Sequence, residues 1–489
     1  VTVVLAVDQG TSGTKAVVVD DDGTQLALAE AELRPRYGDG GVVEQDPAAL
    51  LASVLETGRR AVADAGRPVD VVALANQGET VLAWDPATGA PLTPAVVWQD
   101  RRAESECARL AGHAELIAAR TGLVLDPYFS APKMAWLRRN MTTDGVVTTV
   151  DSWLLHQLTG AFVTDAATAG RSLLLDLDRA DWDPELVELF GLADEPLPRI
   201  AACDEIIGTT RAFGPEVPVA GIVVDQQAAL IAEGCLEAGE AKCTYGTGAF
   251  LLANTGTSAV RSASGLTTSV AWRARGRTPY CVDGQVYTAA SAIRWLRDLG
   301  FIGSAAELDA MAAPESDGTL CVPALAGLAA PWWRPDATAT FTGMTLSTRP
   351  GHLVLAVVQG IAAQVATLCD LVAADLGSPL TRLRADGGLT RSTTLMQAQA
   401  DLARLPVEVY PSPHATPLGA AALARMALDP GLSLRDAVGD WKPSAVYEPE
   451  WSEDRAAEFR ATWRAVAEAS PRKEASPGKA ASLREGAPR

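Results

Sequence analysis

The chain has 489 residues, 48% of them hydrophobic, enough for two or three domains with full cores. Its formal net charge of −19 repels phosphate backbones, which excludes nucleic acid as an expected partner but not a nucleotide held by local backbone N–H groups. Seven cysteines without a C-x-x-C pair, and only four histidines, argue against a zinc cluster and read as reduced thiols.

The opening "VTVVLAVDQG" has no basic start and meets Asp8 early, so no signal peptide is expected. No apolar run approaches the roughly 20 residues of a membrane helix. The expectation is a cytoplasmic protein without membrane contact.

Residues 3–7 and 16–19 read as two strands joined by "DQGTSGTK", and "DDDG" at 20–23 starts a third. "DPAALLASVLETGRRAVADAG", 46–66, predicts a helix that Asp46 caps, Pro47 enters and Gly66 stops. "VDVVALA" is a strand again. It runs into a polar knot, Asn76 to Thr80, before apolar residues resume. Such alternation predicts an α/β layer fold.

"TYGTGAFLLANTG", 244–256, echoes "VDQGTSGTKAVVVDDDG" as strand, glycine-bearing turn, strand. An echo near the midpoint suggests two related domains across a cleft, with chance as the rival, since Gly-Thr turns are common. The C-terminal half reads as a helix at 287–300, a long helix at 352–377 ended by Gly377, a strand into "ADGGLT", and helices at 393–405 and 416–428. The expected division is 1–235, 236–468 and a disordered tail, 469–489, rich in Ala, Ser, Pro and basic residues.

Several turns carry groups suited to chemistry. In "DQGTSGTK", glycines turn backbone N–H groups inward, Thr11, Ser12 and Thr14 add hydroxyls, and Lys15 adds charge. That set suits phosphate oxygens, and an ordinary hairpin turn is the alternative. Asp8, at the end of the preceding strand, is placed to hold Mg²⁺ directly or through water. In "VAGIVVDQQAALIA" a strand ends in Asp225 and a helix follows at once. Asp225 fits an N-cap, and it also fits a base that accepts a hydroxyl proton in phosphoryl transfer. Gln226 and Gln227 add two amides. Gly246, Thr247 and Gly248 are placed to face phosphates from the opposite domain. Gly387 and Gly388 either make a tight turn or admit a flat base or sugar close to the backbone. Trp98, Tyr128 and Phe250, taken singly, read as core aromatics.

"DQGTSGTKAVV", "WDPATGAPLTPAVVWQDRR", "TGLVLDPYFSAPKMAWL", "AGIVVDQQAAL", "TYGTGAFLLANTG" and "LRADGGLT" together resemble, in the same order, segments of the FGGY carbohydrate kinases, and within them the glycerol kinases. "YFSAPKMAWLRRN" and "ATFTGMTLSTRPGHLVLAVVQ" resemble the two family signatures. The resemblance runs from about Val3 to Ala424. It implies an α/β fold of two ribonuclease-H-like (actin-like ATPase) domains facing across a cleft. It further implies ATP and Mg²⁺ as cofactors, mostly on the C-terminal domain, and a small polyol or sugar on the N-terminal one. A homodimer or homotetramer is the expected assembly.

Residue by residue, the resemblance makes Asp225 the base. It puts Glu79, Tyr128, Asp225 and Gln226 on polyol hydroxyls and Trp98 and Phe250 on the carbon face. Thr11, Ser12, Gly13, Lys15, Thr247 and Gly388 fall on the nucleotide, with Gly246 and Gly387 beside them and Asp8 near the metal. The implied reaction is phosphorylation of glycerol or a related small polyol by ATP. The alternatives are a kinase of a larger polyol or ketose and a non-catalytic sugar sensor.

The chain departs from glycerol kinases at a few positions. Gly78 stands where they carry an Arg that donates to a terminal hydroxyl; the change removes a charged donor and opens space. A strand-end glycine is also a candidate for positive φ. Ala290 and Arg294 stand where they have Gly and Gln near the nucleotide, and Ser392 where they have Asn by the adenine.

Overall fold

The computed structural model describes residues 2–472. The expected disordered tail lies outside the described residues from 473 onward. Two sheets organise the chain. In the first, β1 (Val4–Gln9), β2 (Gly13–Val19) and β3 (Gln25–Glu32) form an antiparallel meander. Helix α1 (Pro47–Ala65) follows, then β4 (Val71–Asn76) parallel to β1, and β5 (Val217–Val224) parallel to β4. Helix α1 ends as the sequence predicts: Asp46 accepts from the Ala48 N–H at 2.9 Å, and Gly66 closes it at φ 66°.

In the second sheet, β6 (Ala241–Tyr245), β7 (Ala249–Gly256) and β8 (Tyr280–Val286) form another antiparallel meander. After helices α2 (Asp225–Ala232), α3 (Ala290–Asp298) and α4 (Pro350–Leu376) in chain order, β9 (Leu383–Asp386) pairs parallel with β6. Then β10 (Val407–Val409) pairs parallel with β9. The strand orders β3-β2-β1-β4-β5 and β8-β7-β6-β9-β10 therefore repeat one pattern, two antiparallel steps and two parallel ones. The midpoint echo is this repeat, because "DQGTSGTK" and "TYGTG" each make the first hairpin turn of their sheet.

Both faces of the first sheet are covered, which is why β4 is apolar from Val71 to Ala75. Leu5, Val7, Val72 and Leu74 pack with Leu50 and Val54 of α1. Val4, Ala6, Val71 and Ala73 pack on the other face with Ala420 and Leu423 of α6 (Ala415–Leu428), a helix from the far end of the chain that follows α5 (Thr393–Ala403). Small residues allow this approach. A Cβ at Gly419 would stand 1.9 Å from the Ala228 carbonyl oxygen of α2.

Two sequence expectations are changed. Helix α4 is, by length and composition, apolar enough to cross a membrane, against the expectation that no such run exists; 89% of its apolar window is buried inside the protein. It is the central helix of the second core, against Leu251, Val282 and Leu395. Gly78 does not hold a positive φ; its neighbour Glu79 does, at 57°. All seven cysteines are unpaired.

Candidate active site

The parallel strands β1, β4 and β5 end at one edge of their sheet. Asp8 is level with Ala75, Gln9 with Asn76, and Val224 also with Asn76. This register brings Asp8, the polar knot after β4 and Asp225 to one place. There Gly78, Glu79 and Asp225 meet the "TYGTG" turn of the second sheet around a cavity of about 210 Å³, and Asp8 is not among its lining residues. Ten of the sequence candidates line it: Thr11, Ser12, Gly78, Glu79, Trp98, Tyr128, Asp225, Gln226, Thr247 and Phe250.

Asp225 is the first residue of α2 and not its N-cap; that position is Val224, so the capping alternative fails. Its Oδ1 accepts only its neighbour's N–H, from Gln226 at 2.7 Å. Burial, then the charges of Asp8 and Glu79, push its carboxyl up to about 7. Burial likewise pushes Asp8 up to about 6, with Lys15 pulling the other way. Lys15 itself lies outside the cavity lining, 3.8 Å from Glu30.

The knot after β4 largely satisfies itself. Gln77 Oε1 accepts from Thr11 and Thr80 hydroxyls, both at 3.1 Å, and Gln77 Nε2 donates to Gln45 at 2.8 Å. Asn76 Nδ2 donates to the Gln77 carbonyl at 3.1 Å. Glu79 alone of the knot's side chains points its charge into the cavity. It does so from a left-handed backbone that costs a non-glycine residue roughly 1–2 kcal/mol. Burial raises its pKa, and the guanidinium of Arg171 opposes that rise.

Arg171 is a residue that the sequence reading missed. Its Nε donates to Glu79 Oε1 at 2.6 Å and its Nη1 to Asp283 Oδ1 of β8 at 2.7 Å. All three side chains line the cavity. A guanidinium is therefore present although Gly78 carries none. The only sequence signal was Asp283, the one charge in the strand "YCVDGQV".

The aromatic wall is fixed by polar anchors. Trp98 Nε1 donates to Thr11 Oγ1 at 2.8 Å. Trp98 meets the Tyr128 and Phe250 rings edge-on, at 5.4 and 6.3 Å between centroids. Beneath Tyr128, fully buried Lys133 donates to the carbonyls of Pro127, Tyr128 and Phe129 at 2.9, 2.6 and 2.6 Å. All three ammonium protons are thereby used to hold this loop. A second buried lysine, Lys242, donates to Gln226 Oε1 at 2.7 Å and Thr244 Oγ1 at 2.6 Å, which leaves the Gln226 NH₂ to face the cavity.

The remaining candidates lie around this chamber. Gly13 is held close to β3, where a Cβ would stand 2.5 Å from the Ala31 carbonyl oxygen. The Gly246 carbonyl accepts from Ala290 N–H at 3.0 Å, which ties the start of α3 to the second turn. Arg294 is exposed on α3. Gly387, at φ 95°, lies against the Tyr245 backbone, and Gly388 faces open space. Ser392 caps α5 through Leu395 N–H at 3.1 Å and donates to Asp309 Oδ1 at 2.5 Å, so its hydroxyl is engaged.

Residues 3–232 match the N-terminal domain, and residues 241–428 the C-terminal domain, of the FGGY family of carbohydrate kinases. The chain belongs to that family. A glycerol kinase of Trichlorobacter lovleyi is 41% identical over 487 residues, covering 96% of this chain and 98% of the relative. The crystal structure of Plasmodium falciparum glycerol kinase with ADP superposes with a TM-score of 0.88 at 30% identity, over 96% of this chain and 98% of that one. A ligand-bound xylulose kinase from Lactobacillus acidophilus shares the fold, with a TM-score of 0.85 at 21% identity over 96% and 98% of the chains. The chain is thus an ATP-dependent sugar or polyol kinase of the two-domain, actin-like architecture.

Proposed function

We propose that this FGGY kinase transfers the terminal phosphoryl group of ATP to a primary hydroxyl of glycerol, giving glycerol 3-phosphate and ADP. The observation that carries the reading is Asp225. Its half-buried carboxyl, pushed up to about 7 by desolvation and neighbouring acids, shares a polar chamber with Glu79, Tyr128 and Gln226. Glycerol kinases at about 40% identity over nearly the whole chain support glycerol as the acceptor. ADP in the Plasmodium falciparum structure supports the nucleotide.

In this reading Glu79 and Gln226 bind polyol hydroxyls while Trp98 and Phe250 cover the C–H edge. Asp225 holds the acceptor hydroxyl and takes its proton as the oxygen attacks phosphorus. The facing turns at Thr11–Ser12 and Gly246–Thr247 offer N–H and hydroxyl donors to the phosphates. Closure of the chamber excludes water, the competing acceptor.

Asp8 and Asp225 fit Mg²⁺. Asp8 is the half-buried hard-oxygen donor for the ion, with Asp225 beside it feeling its charge. The described residues contain no cluster of three or more acidic, His or Cys ligands, which suits an ion that takes its other ligands from phosphate and water. When bound, the ion neutralises phosphate charge.

A longer polyol or ketose is the rival acceptor, and Gly78, without the donor of glycerol kinases, is the observation behind it. The deciding experiment is coupled ADP release over glycerol, erythritol, xylitol, xylulose and ribulose, with ³¹P NMR of the product. Glycerol-dependent ADP release with glycerol 3-phosphate as product is expected. Glycerol-independent hydrolysis would sink the reading.

A further inference from the structure

The polyol chamber does not end at its aromatic wall. Trp98, Tyr128, Phe250 and Thr247 also line a second cavity, of about 380 Å³. Its outer walls include Gly248, Tyr287, Ala326 and Pro335. Two charged residues reach it, and they are already paired. Arg101 Nε donates to Glu104 at 2.8 Å, and Arg101 Nη1 donates to Asp126 at 2.9 Å. The first chamber offers carboxylates and amides to hydroxyls, whereas the second, which shares Gln99 and Thr247 with it, offers mostly carbon and an arginine already held by two carboxylates. The rings between them are anchored through Trp98 and Thr11, so the wall keeps its place.

We infer that the second cavity is a subsite for an apolar substituent on the far carbon of the polyol, so that the enzyme also phosphorylates 1,2,3-triols bearing a short alkyl chain. The inference rests on the polyol-kinase reading and extends its substrate class. The three hydroxyls occupy the polar chamber, and the chain passes the edges of Trp98 and Phe250. The transfer itself is unchanged. The primary hydroxyl oxygen bonds to the terminal phosphorus of ATP, the bond from that phosphorus to the bridging oxygen breaks with its electron pair leaving on ADP, and the hydroxyl proton goes to Asp225. A committed arginine is a poor receptor for an anionic tail. A tail hydroxyl, as in erythritol, would meet only the Gln99 amide and the Thr247 and tyrosine hydroxyls in a lining that is otherwise mostly carbon, and would recover only part of its lost hydration.

The test compares glycerol, butane-1,2,3-triol, pentane-1,2,3-triol, hexane-1,2,3-triol and erythritol. From butanetriol to hexanetriol, kcat/KM is expected to rise about three- to fourfold per methylene buried. Erythritol is expected to fall below butanetriol. Ala326→Phe, on the outer wall and away from the chemistry, should lower the hexanetriol-to-glycerol ratio of kcat/KM about tenfold while leaving glycerol unchanged. Calorimetric Kd values for the same series, with a non-hydrolysable ATP analogue, read the subsite without turnover. A Kd or kcat/KM series that is flat or worsens with chain length overturns the subsite, as does an unchanged ratio in Ala326→Phe. Absence of phosphoryl transfer to glycerol, with a Kd series that still tightens, would instead remove the glycerol reading and leave the subsite standing.

Discussion

Arg171 holds Glu79 by a 2.6 Å bond from Nε, and both side chains are buried. The same guanidinium reaches Asp283 at 2.7 Å, so one cation from the first half of the chain ties Glu79 to a strand of the second sheet. Breaking a buried pair leaves a charge unpaired and costs about 3–5 kcal/mol. Arg171→Met should therefore lower Tm by at least about 6 °C and raise the glycerol KM. Asp283→Asn keeps the contact with Glu79 and should cost less on both measures. Equal KM values for wild type and Arg171→Met would show that the pair does not orient Glu79.

Asp225→Asn keeps shape and loses the carboxylate proposed as the base. A fall in kcat of about a hundredfold or more is expected, with the melting curve retained. The pH profile gives a second reading. With its carboxyl near 7, Asp225 is protonated and inactive as a base below that pH, so kcat/KM for wild type should rise as pH climbs through about 7. The residual activity of the variant should lack that limb. Near-normal kcat in a folded variant would remove Asp225 from the chemistry.

The sequence made the repeat legible because each half opens with the same hairpin turn, and the strand orders bear it out. Asp225 was legible for a similar reason, since a charge directly after a buried apolar run stands out, and Glu79 as the one charge in the polar knot that follows such a run. Arg171 follows a five-residue helix in "AATAGRS" and has no such frame. Its partners lie 92 and 112 residues away, and only the packed fold brings them together. The rest of the knot is structural: Asn76, Gln77 and Thr80 spend their hydrogen bonds on Gln45, Thr11 and one another.

Asp165 offers a test of stability away from the chemistry. It caps the helix Ala166–Gly170, accepting from Ala167 N–H at 2.8 Å and Thr168 N–H at 3.1 Å. Burial, with Asp151 close by, pushes its carboxyl up to about 7. A folded pKa above the unfolded value near 3.8 means that the folded state binds the proton more tightly. Its contribution therefore erodes as pH rises from about 4 to 7, and the penalty is complete above 7. Asp165→Asn keeps a capping oxygen and removes the charge. Its Tm relative to wild type should be higher at pH 8 than at pH 5, by about 3 °C or more. A pH-independent difference would mean that Asp165 is not the titrating group.

By the resemblance, Gly78 stands inside the chamber where glycerol kinases carry an Arg, and the structure shows what lies beside it. A Cβ built on Gly78 would stand 3.0 Å from Val224 Cγ2, and Val224 also lines the cavity. The backbone is not the obstacle, since Gly78 has no positive φ. Gly78→Arg alone must displace a methyl beside Asp225, and is expected to lose both stability and kcat. Gly78→Arg with Val224→Ala relieves that contact. The pair should restore Tm towards wild type and add a charged donor for a terminal hydroxyl, worth about 1.5–3 kcal/mol, or about ten- to a hundredfold in glycerol KM. Measuring Tm and glycerol KM for the two single variants and the double variant closes the cycle. Strict additivity would show that Val224 does not control the space beside Gly78. Coupling in Tm without any gain in glycerol KM would show that Arg171 already supplies the donor that Gly78 lacks.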